Sequence, residues 1–249
     1  MIFFSVLFNP DANAIKNIIL ASGLGFKSIV FINKVESEFL DKLKKLDVVI
    51  LGNNSNVGLG VAFYELEMYL AEIGEEYFIY FDQDTVTTEE TWGFISRTYL
   101  DVFSRKNTGM IFYGWNTVES SDLVVSSGCL FSMQIINKIG KHDKGYFVEG
   151  VDYEFCLRLK INGYVIRNVF TESIDHFALQ DGTRLKIAGF NIPVRVYGKS
   201  RTKDFNVSHS KLIRTSLRKG EFLMFLKFLK SAILFNFFEY LSRILIRFI

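Results

Sequence analysis

The sequence of 249 residues is poor in cysteine and proline, with two of each. Cys129 and Cys156 cannot build a disulfide framework and lack the spacing of a metal site, so they indicate small core residues in a reducing compartment. Pro10 and Pro193 are too few for a proline-rich linker. Met1–Phe8 is apolar but has no basic segment before it, which favours a first strand over a signal peptide.

The composition is that of a globular protein with a large core. Hydrophobic residues make up 49% of the chain and aromatic residues 16%, including 26 Phe, so intrinsic disorder is excluded. The length fits one large domain, or one domain with an appendage. The net charge of +2 is uneven, because Lys211–Ile249 holds eight basic and two acidic residues and leaves the remainder acidic. This asymmetry indicates two tasks in one chain.

Short apolar runs alternate with helical patterns through the first two-thirds of the chain. The alternation predicts an α/β fold with a parallel or mixed sheet and helices on both faces. The predicted strands are Ile2–Phe8, Ser28–Ile32, Val48–Leu51, Tyr77–Phe81, Gly109–Tyr113, Leu123–Phe131 and Val165–Val169. The predicted helices are Ala12–Ala21, Glu36–Leu46, Val57–Ile73, Thr88–Ser104 and a segment from about 151 to 163.

Two acidic residues follow the apolar run Tyr77–Phe81 at the positions Asp82 and Asp84. In an extended backbone, side chains two residues apart point to the same face. Paired carboxylates repel each other unless a cation lies between them, and oxygen ligands suit Mg²⁺ or Mn²⁺. The pattern therefore predicts a metal site at a strand tip, where open α/β sheets bind ligands. A solvated turn is the alternative.

Four further segments carry polar residues that could belong to a site. Asn53–Gly60 ends a strand and opens a helix, which suits an anion or a ribose, although a polar turn with a helix cap explains it better when taken alone. In Glu149–Arg158, Asp152 lies near a helix start and fits either a general base or an N-cap. His176 could complete a metal site or be structural. A basic patch follows Pro193 and suits a diphosphate; it comprises Arg195, Lys199 and Arg201, together with Tyr197.

Taken in order, these segments resemble the family 2 glycosyltransferases, and most of all the rhamnosyltransferase-like branch that assembles bacterial O-antigens, a part of lipopolysaccharide, and related polysaccharides. The resemblance covers about residues 2 to 201. It is carried by the strings Phe8–Pro10, Asn56–Ala62, Phe81–Thr85, Ser127–Cys129, Val151–Leu159 and Asp175–His176. The strings Asp-Gln-Asp and Val-Asp-x-Glu-x-Cys-Leu-Arg-Leu are fairly specific at this separation.

The resemblance implies a GT-A fold and an inverting transfer from a nucleotide sugar, with rhamnose as one candidate sugar. It assigns Asp84 and Asp82 to the family's DxD site for Mg²⁺ or Mn²⁺, with His176 facing the metal, and makes Asp152 the general base. The donor would be held by Pro10, Asn33, Asn56, Gly58, Asp82 and Arg201. The family's base-reading Asp-Asn pair is replaced by Asn33 and Lys34, which leaves dTDP- and UDP-sugars open.

Two rival classes share some of these features. Asp82–Val86 also matches the DxDx(T/V) string of haloacid-dehalogenase-type phosphatases, but that string normally lies on the first strand and needs a later Lys and acidic pair. A non-catalytic membrane adaptor with the same fold is the other rival. Incubation with Mn²⁺ separates the three classes. A transferase slowly releases sugar from its donor, a phosphatase acts on simple phosphoesters, and an adaptor does neither.

The tail is predicted to be a separate part of the protein. The predicted division gives a GT-A domain over residues 1–205 and a basic, apolar helical tail over 206–249. No uncharged apolar run reaches the roughly 20 residues that span a bilayer, which favours an in-plane amphipathic helix on anionic lipid. A helix packed on the body is the alternative. We therefore expect a cytoplasmic protein, peripheral on the inner face of the bacterial plasma membrane, with a lipid-linked saccharide acceptor and no nucleic-acid partner.

Overall fold

A computed structural model of the chain describes residues 1–171, 174–176, 183–187, 190–194 and 197–246. The chain divides into two compact units, Met1–His176 and Phe177–Ile249. The division predicted after residue 205 instead falls inside a helix, Lys199–Arg218. Hydrophobic patterning could not place this boundary, because the apolar and basic composition of the tail begins only after that helix has started.

The described part of the first unit contains ten strands and six helices. The strands are β1 (Ile2–Phe8), β2 (Lys27–Lys34), β3 (Val48–Leu51), β4 (Tyr77–Tyr80), β5 (Thr85–Val86), β6 (Thr108–Gly114), β7 (Ser120–Ser121), β8 (Cys129–Ser132), β9 (Val165–Phe170) and β10 (Asp175–His176). The helices are α1 (Ala12–Gly23), α2 (Ser37–Leu43), α3 (Leu59–Ile73), α4 (Glu89–Ser104), α5 (Met133–Ile139) and α6 (Val151–Ile161). Thr88 caps α4 through a hydrogen bond from the Thr91 N–H.

An eight-stranded mixed sheet has the order β3-β2-β1-β4-β8-β6-β9-β7. The strands β1, β2, β3 and β4 are mutually parallel. β8 runs antiparallel to both of its neighbours, β4 and β6, so β6 points the same way as β4. The carboxyl ends of β1, β2, β4 and β6 therefore meet at one edge of the sheet, where β8 begins.

Successive side chains along the strands point to opposite faces of the sheet, so an apolar core forms on each face. Phe3 points to the face covered by α1 and α4, where it meets Trp92 edge-on with ring centroids 5.2 Å apart. Its neighbour Phe4 points to the other face and meets Phe63 of α3 at 5.6 Å. All four of these side chains are buried. The predicted α/β architecture, with helices on both faces of a mixed sheet, is confirmed.

The described part of the second unit contains a hairpin and two long helices, β11 (Thr183–Ile187), β12 (Phe190–Val194), α7 (Lys199–Arg218) and α8 (Phe222–Ile246). Phe205 of α7 stacks on Phe235 of α8 with ring centroids 3.7 Å apart. Asn206 and Asn236 exchange side-chain hydrogen bonds between the same helices. In the described ranges, no helix combines the length and the apolarity needed to cross a membrane.

Candidate active site

The segment after β4 lies at the carboxyl edge of the sheet, beside the start of β8. Asp82 donates its backbone N–H to Ser127 Oγ over 2.9 Å, and its carboxylate Oδ1 accepts the Tyr80 hydroxyl over 2.5 Å. The Thr85 N–H returns to the Asp82 carbonyl over 3.0 Å. The chain thus turns at Gln83 and Asp84. The prediction that Asp82 and Asp84 lie on an extended backbone, with both side chains on one face, is therefore wrong.

The acidic side chains nevertheless gather around one buried phenol. Burial raises the pKa of Tyr80 well above its usual value, and the negative charges of Asp82, Asp152 and Asp84 raise it further. Three carboxylates from two distant parts of the chain therefore act on the same point. The metal site predicted at this strand tip stays a prediction.

Asp152 is held in the first turn of α6 by a residue from the approach to β8. The helix N-cap is Gly150, with φ of 80°, so the alternative that Asp152 serves as the N-cap is wrong. The Asp152 carboxylate Oδ1 accepts the Ser126 hydroxyl over 2.5 Å. Burial raises the pKa of Asp152 to about 6, the Ser126 hydrogen bond opposes the rise, and the nearby charge of Asp82 adds to it.

The pair Ser126 and Ser127 organises this edge of the sheet, although no role is predicted for Ser126 from the sequence. Ser126 bonds Asp152, while Ser127 bonds both the Asp82 backbone and the Thr85 hydroxyl, the latter over 2.9 Å. Both serines are buried. Two adjacent serines before Gly128 and Cys129 are the only signal of this role in the sequence. The fold shows that Ser126 bonds the Asp152 carboxylate and Ser127 the Asp82 backbone.

His176 is brought to the acidic segment by its backbone alone. β10 pairs antiparallel with β5, and this register sets His176 opposite Thr85, the residue after Asp84. The side chain of His176 lies outside the described residues, so its assignment to a metal stays a prediction. Within the described ranges, no three His, Cys, Asp or Glu side chains form a group that could hold a metal.

The predicted donor-binding residues after β2 and β3 hold one turn together. The Asn33 side chain accepts the Val57 N–H over 3.1 Å and donates to the Gly58 carbonyl over 3.4 Å. The exposed Asn56 accepts the Gly58 N–H on its side-chain oxygen over 3.3 Å. The buried side-chain amide of Asn33 thus forms hydrogen bonds with backbone groups. Its role toward a nucleobase stays a prediction.

The glycines of this turn serve close packing. Gly58 has φ of 86°, and a Cβ there would lie 2.4 Å from the Phe147 carbonyl oxygen. The N–H groups of Leu59 and Gly60, at the start of α3, both point to that same carbonyl, over 2.5 Å and 3.4 Å. Because these donors are engaged, the idea of an anion at this helix N-terminus is not supported.

Replacing Gly60 with alanine is expected to destabilise the fold. A Cβ at Gly60 would lie 2.3 Å from the Tyr146 carbonyl oxygen and 2.7 Å from that of Asp143. Such overpacking against backbone typically costs about 1–3 kcal/mol. The matched control is Gly23→Ala at the end of α1, where a Cβ meets nothing within 4 Å. Urea unfolding measures both, and equal midpoints would contradict the packing role of Gly60.

Pro10 and the basic patch have different surroundings. A cavity of about 220 Å³ follows the ends of β1 and β2, with Pro10, Asn9, Glu36, Glu38, Phe39 and Lys42 as its lining. Arg201 lies in the first turn of α7, with its guanidinium carbon 4.9 Å from the Tyr197 ring centroid. Arg195 lies outside the described residues. Arg201 belongs to the second unit, so its role toward a diphosphate stays a prediction.

Comparisons with known proteins agree with the predicted GT-A fold. No protein-family model matches the chain. The chain is similar to the dTDP-rhamnosyl transferase RfbF of Shigella flexneri, with 26% identity over 200 residues that cover 67% of this chain and 64% of the relative. It thus spans less than two-thirds of that protein. The predicted resemblance to rhamnosyltransferase-like glycosyltransferases is confirmed.

Two solved structures of Staphylococcus aureus TarS share the fold. TarS 1–349 in complex with UDP-GlcNAc has a TM-score of 0.54 at 11% identity, covering 92% of this chain and 71% of that one. A second TarS structure has a TM-score of 0.53 at 12% identity, covering 70% of this chain and 35% of that one.

The phosphatase alternative needs its motif on a first strand, whereas Asp82 and Asp84 follow the fourth strand along the chain.

Proposed function

We propose that this protein is an inverting, metal-dependent glycosyltransferase that moves a sugar from a dTDP- or UDP-sugar to a hydroxyl of a lipid-linked saccharide. The observation that carries the proposal is the half-buried Asp152 carboxylate, which lies in the first turn of α6 and is bonded by Ser126 just before β8. Burial raises the pKa of Asp152 to about 6. A general base works best when its pKa lies near the operating pH. At neutral pH, Asp152 is ionised and ready to accept a proton.

The donor class is supported by the relatives. RfbF is named for dTDP-rhamnosyl transfer, and TarS was solved with UDP-GlcNAc. These two proteins leave the nucleobase open, as the sequence does at Asn33 and Lys34. Rhamnose is our first candidate sugar because the relative with the higher sequence identity carries it in its name.

The chain's own residues suggest how transfer would proceed. Asp152 accepts the proton of the acceptor hydroxyl, while Ser126 orients its carboxylate through the 2.5 Å hydrogen bond. The hydroxyl oxygen then attacks the sugar carbon on the face opposite the leaving diphosphate, which inverts that centre. The leaving diphosphate gains negative charge, and the contact of Arg201 with a diphosphate stays a prediction from the sequence.

The side chains of the protein could supply part of the ligands of a divalent cation. Mg²⁺ is commonly held by one or two carboxylates together with substrate phosphates and water, so Asp82 and Asp84 suffice from the protein's side. His176 is the third proposed ligand. A bound Mg²⁺ or Mn²⁺ would neutralise charge on the diphosphate. It would also offset the crowding of Asp82, Asp84 and Asp152 near Tyr80.

A thermal-shift screen tests the donor assignment. A ligand that binds the native state raises its stability in proportion to the logarithm of its concentration over Kd. We expect at least one dTDP- or UDP-sugar to raise the melting temperature when Mn²⁺ is present, with a smaller rise when it is absent. If no nucleotide sugar stabilises the protein, the donor assignment is wrong.

We further propose that α8 docks the protein on anionic lipid at the inner face of the bacterial plasma membrane. The polar side of α8 is bonded within the second unit, because Glu239 accepts the Tyr197 N–H over 3.2 Å and pairs with Arg243 at 2.6 Å. The outward side is apolar, with Phe222, Leu223, Leu226, Ile233, Leu234, Phe237, Phe238 and Tyr240 exposed. Lys227 and Lys230 are also exposed on α8. An apolar face with lysines suits an anionic bilayer.

Substitutions on α8 are expected to weaken vesicle binding. Lys227→Gln with Lys230→Gln removes two charges that are each worth about 1 kcal/mol near an anionic surface. We therefore expect roughly tenfold or greater loss of binding, measured by vesicle co-sedimentation, and weakening of the intact protein by salt. Lys106→Gln with Lys144→Gln, in the first unit, is the charge-matched control. Equal binding by the two double variants would contradict the role of α8.

A further inference from the structure

Trp115, the residue directly after β6, is a large aromatic side chain that is half exposed at the carboxyl edge of the sheet. Single exposed apolar side chains are common on protein surfaces and need no explanation by themselves. Trp115 differs from them because a buried ring holds it in place. The ring of Phe112 meets the indole edge-on, with centroids 5.2 Å apart and an interplanar angle of 85°, and Phe112 itself is only 1% exposed.

Gly114 gives the Phe112 ring the space to reach Trp115. A Cβ at Gly114 would lie 2.7 Å and 2.9 Å from two carbons of that ring, so a larger residue there would displace it. On the other side of the indole, Asn116 donates its side-chain amide to Ser121 Oγ of β7 over 3.3 Å. The chain is therefore tied to the sheet on both sides of Trp115.

The Phe112 ring also connects Trp115 to the candidate base. Phe112 pairs with the first residue of β8, and its Cε2 lies 3.7 Å from the position that a Cβ on Gly128 would take. Two residues before Gly128, the Ser126 hydroxyl bonds the Asp152 carboxylate over 2.5 Å. The indole and the carboxylate thus belong to one edge of the sheet, with the Phe112 ring and this turn between them.

Phe112 lies on the face of the sheet that α6 covers. Its neighbour Ile111 belongs to the core on the opposite face. Met110, two residues before Phe112, pairs with Phe131 of β8, and Phe131 meets Phe155 of α6 with ring centroids 5.4 Å apart. The ring against which the indole packs therefore faces the same side as the helix that carries the base.

A sugar ring is the ligand that suits an exposed indole in this position. Its faces consist of apolar C–H bonds and its rim carries hydroxyls, so one face can stack on an aromatic ring while the rim meets polar groups or water. The residues that follow Trp115, from Asn116 to Ser120, are polar except for Val118. Such surroundings suit hydroxyls better than they suit an acyl chain.

We propose that Trp115 is the platform on which a saccharide ring of the acceptor stacks, and that this contact directs an acceptor hydroxyl to Asp152. The inference rests on the proposed function where it treats the bound saccharide as the acceptor, whereas the saccharide site itself does not depend on catalysis. Its consequence is that Trp115 determines the affinity for the acceptor and not the affinity for the donor.

The first measurement is NMR of the indole N–H groups of the whole chain, with UDP and Mn²⁺ present. The chain has two Trp residues, and Trp92 is fully buried, so the signal of Trp115 is assigned by its loss in Trp115→Leu. The probes are the methyl glycosides of rhamnose, glucose, galactose and N-acetylglucosamine. We expect at least one of them to shift the Trp115 signal in a saturable way and to leave the Trp92 signal in place. If no glycoside shifts the Trp115 signal, or if both signals shift alike, the inference is overturned.

The second measurement is the Kd of the binding glycoside in each variant, from the broadening of its own proton signals. We expect Trp115→Leu to raise this Kd about fivefold or more, and Trp115→Phe, which keeps an aromatic face, to raise it less. Leu100→Ala, at a position on α4 that is 57% exposed, is the control and should leave the Kd unchanged. A glycoside Kd that is the same in Trp115→Leu and in the unaltered chain overturns the inference.

The donor separates this inference from the proposed function. Calorimetric titration should give the same Kd for the nucleotide sugar in Trp115→Leu as in the unaltered chain, and a weaker donor Kd would place the indole in the donor site and overturn the inference. If a glycoside shifts the Trp115 signal but the protein turns over no nucleotide sugar, the proposed function fails and the saccharide site stands.

Discussion

Replacing Asp152 with asparagine is expected to lower turnover by about 10²–10⁴-fold, the range typical of a general base, while donor binding stays close to normal. Asparagine keeps the size of the side chain and can still accept the Ser126 hydrogen bond, but it cannot take a proton at neutral pH. Steady-state kinetics gives kcat, and calorimetric titration with the nucleotide sugar gives the donor Kd.

The control for this variant is Glu149→Gln, which makes the same chemical change three residues earlier, just before α6. It should leave kcat within a few-fold of the unaltered protein. Near-normal turnover in Asp152→Asn would mean that Asp152 is not the base. A large loss in Glu149→Gln instead would move that role to Glu149.

Asp84→Asn is expected to remove the metal dependence of donor binding. Losing even an outer partner of a metal ligand typically costs roughly 10–100-fold in affinity, so losing a ligand should cost at least as much. Titration of UDP and dTDP with and without Mn²⁺ measures this effect. Asp101→Asn, on the exposed side of α4 where Asp101 pairs with Arg105, is the control. Unchanged affinity and metal dependence in Asp84→Asn would exclude the metal assignment.

The sequence predicts the strands closely where burial is continuous. Ile2–Phe8 and Val48–Leu51 have the predicted bounds. The predicted strand Leu123–Phe131 begins only at Cys129, because Gly128 has φ of 86° and the Cys129 N–H closes a turn on the Ser126 carbonyl over 2.8 Å. The sequence also does not predict that β8 runs antiparallel to its neighbours, because an apolar run does not indicate the direction of a strand.

Within the site, local spacing does not predict which groups a side chain touches. The carboxylate of Asp82 accepts the hydroxyl of Tyr80, two residues earlier in the chain. Asn33 and Gly58 were read as ligand contacts, yet Asn33 bonds the backbone at Gly58. Polar residues at strand ends serve ligands and turns alike, and spacing cannot separate the two uses.

The same limit applies to the tail. Asn236, Glu239 and Arg243 recur at helical spacing and form a polar stripe on α8. These side chains bond within the second unit, because Asn236 bonds Asn206 of α7 and Arg243 donates to the Tyr197 carbonyl over 2.8 Å. The exposed side of α8 is therefore its apolar side. Helical periodicity separates the two faces of a helix but does not tell which one a neighbouring helix covers.

The most direct test of the central claim is release of nucleoside diphosphate by the purified chain with Mn²⁺. The donors are dTDP-rhamnose and a panel of UDP-sugars, with p-nitrophenyl phosphate as the phosphatase control. We predict slow, Mn²⁺-dependent release of dTDP or UDP from at least one donor, lost in Asp84→Asn, with no phosphate released from the control. Release from no donor, or phosphate release from the simple ester, would contradict glycosyl transfer by this protein.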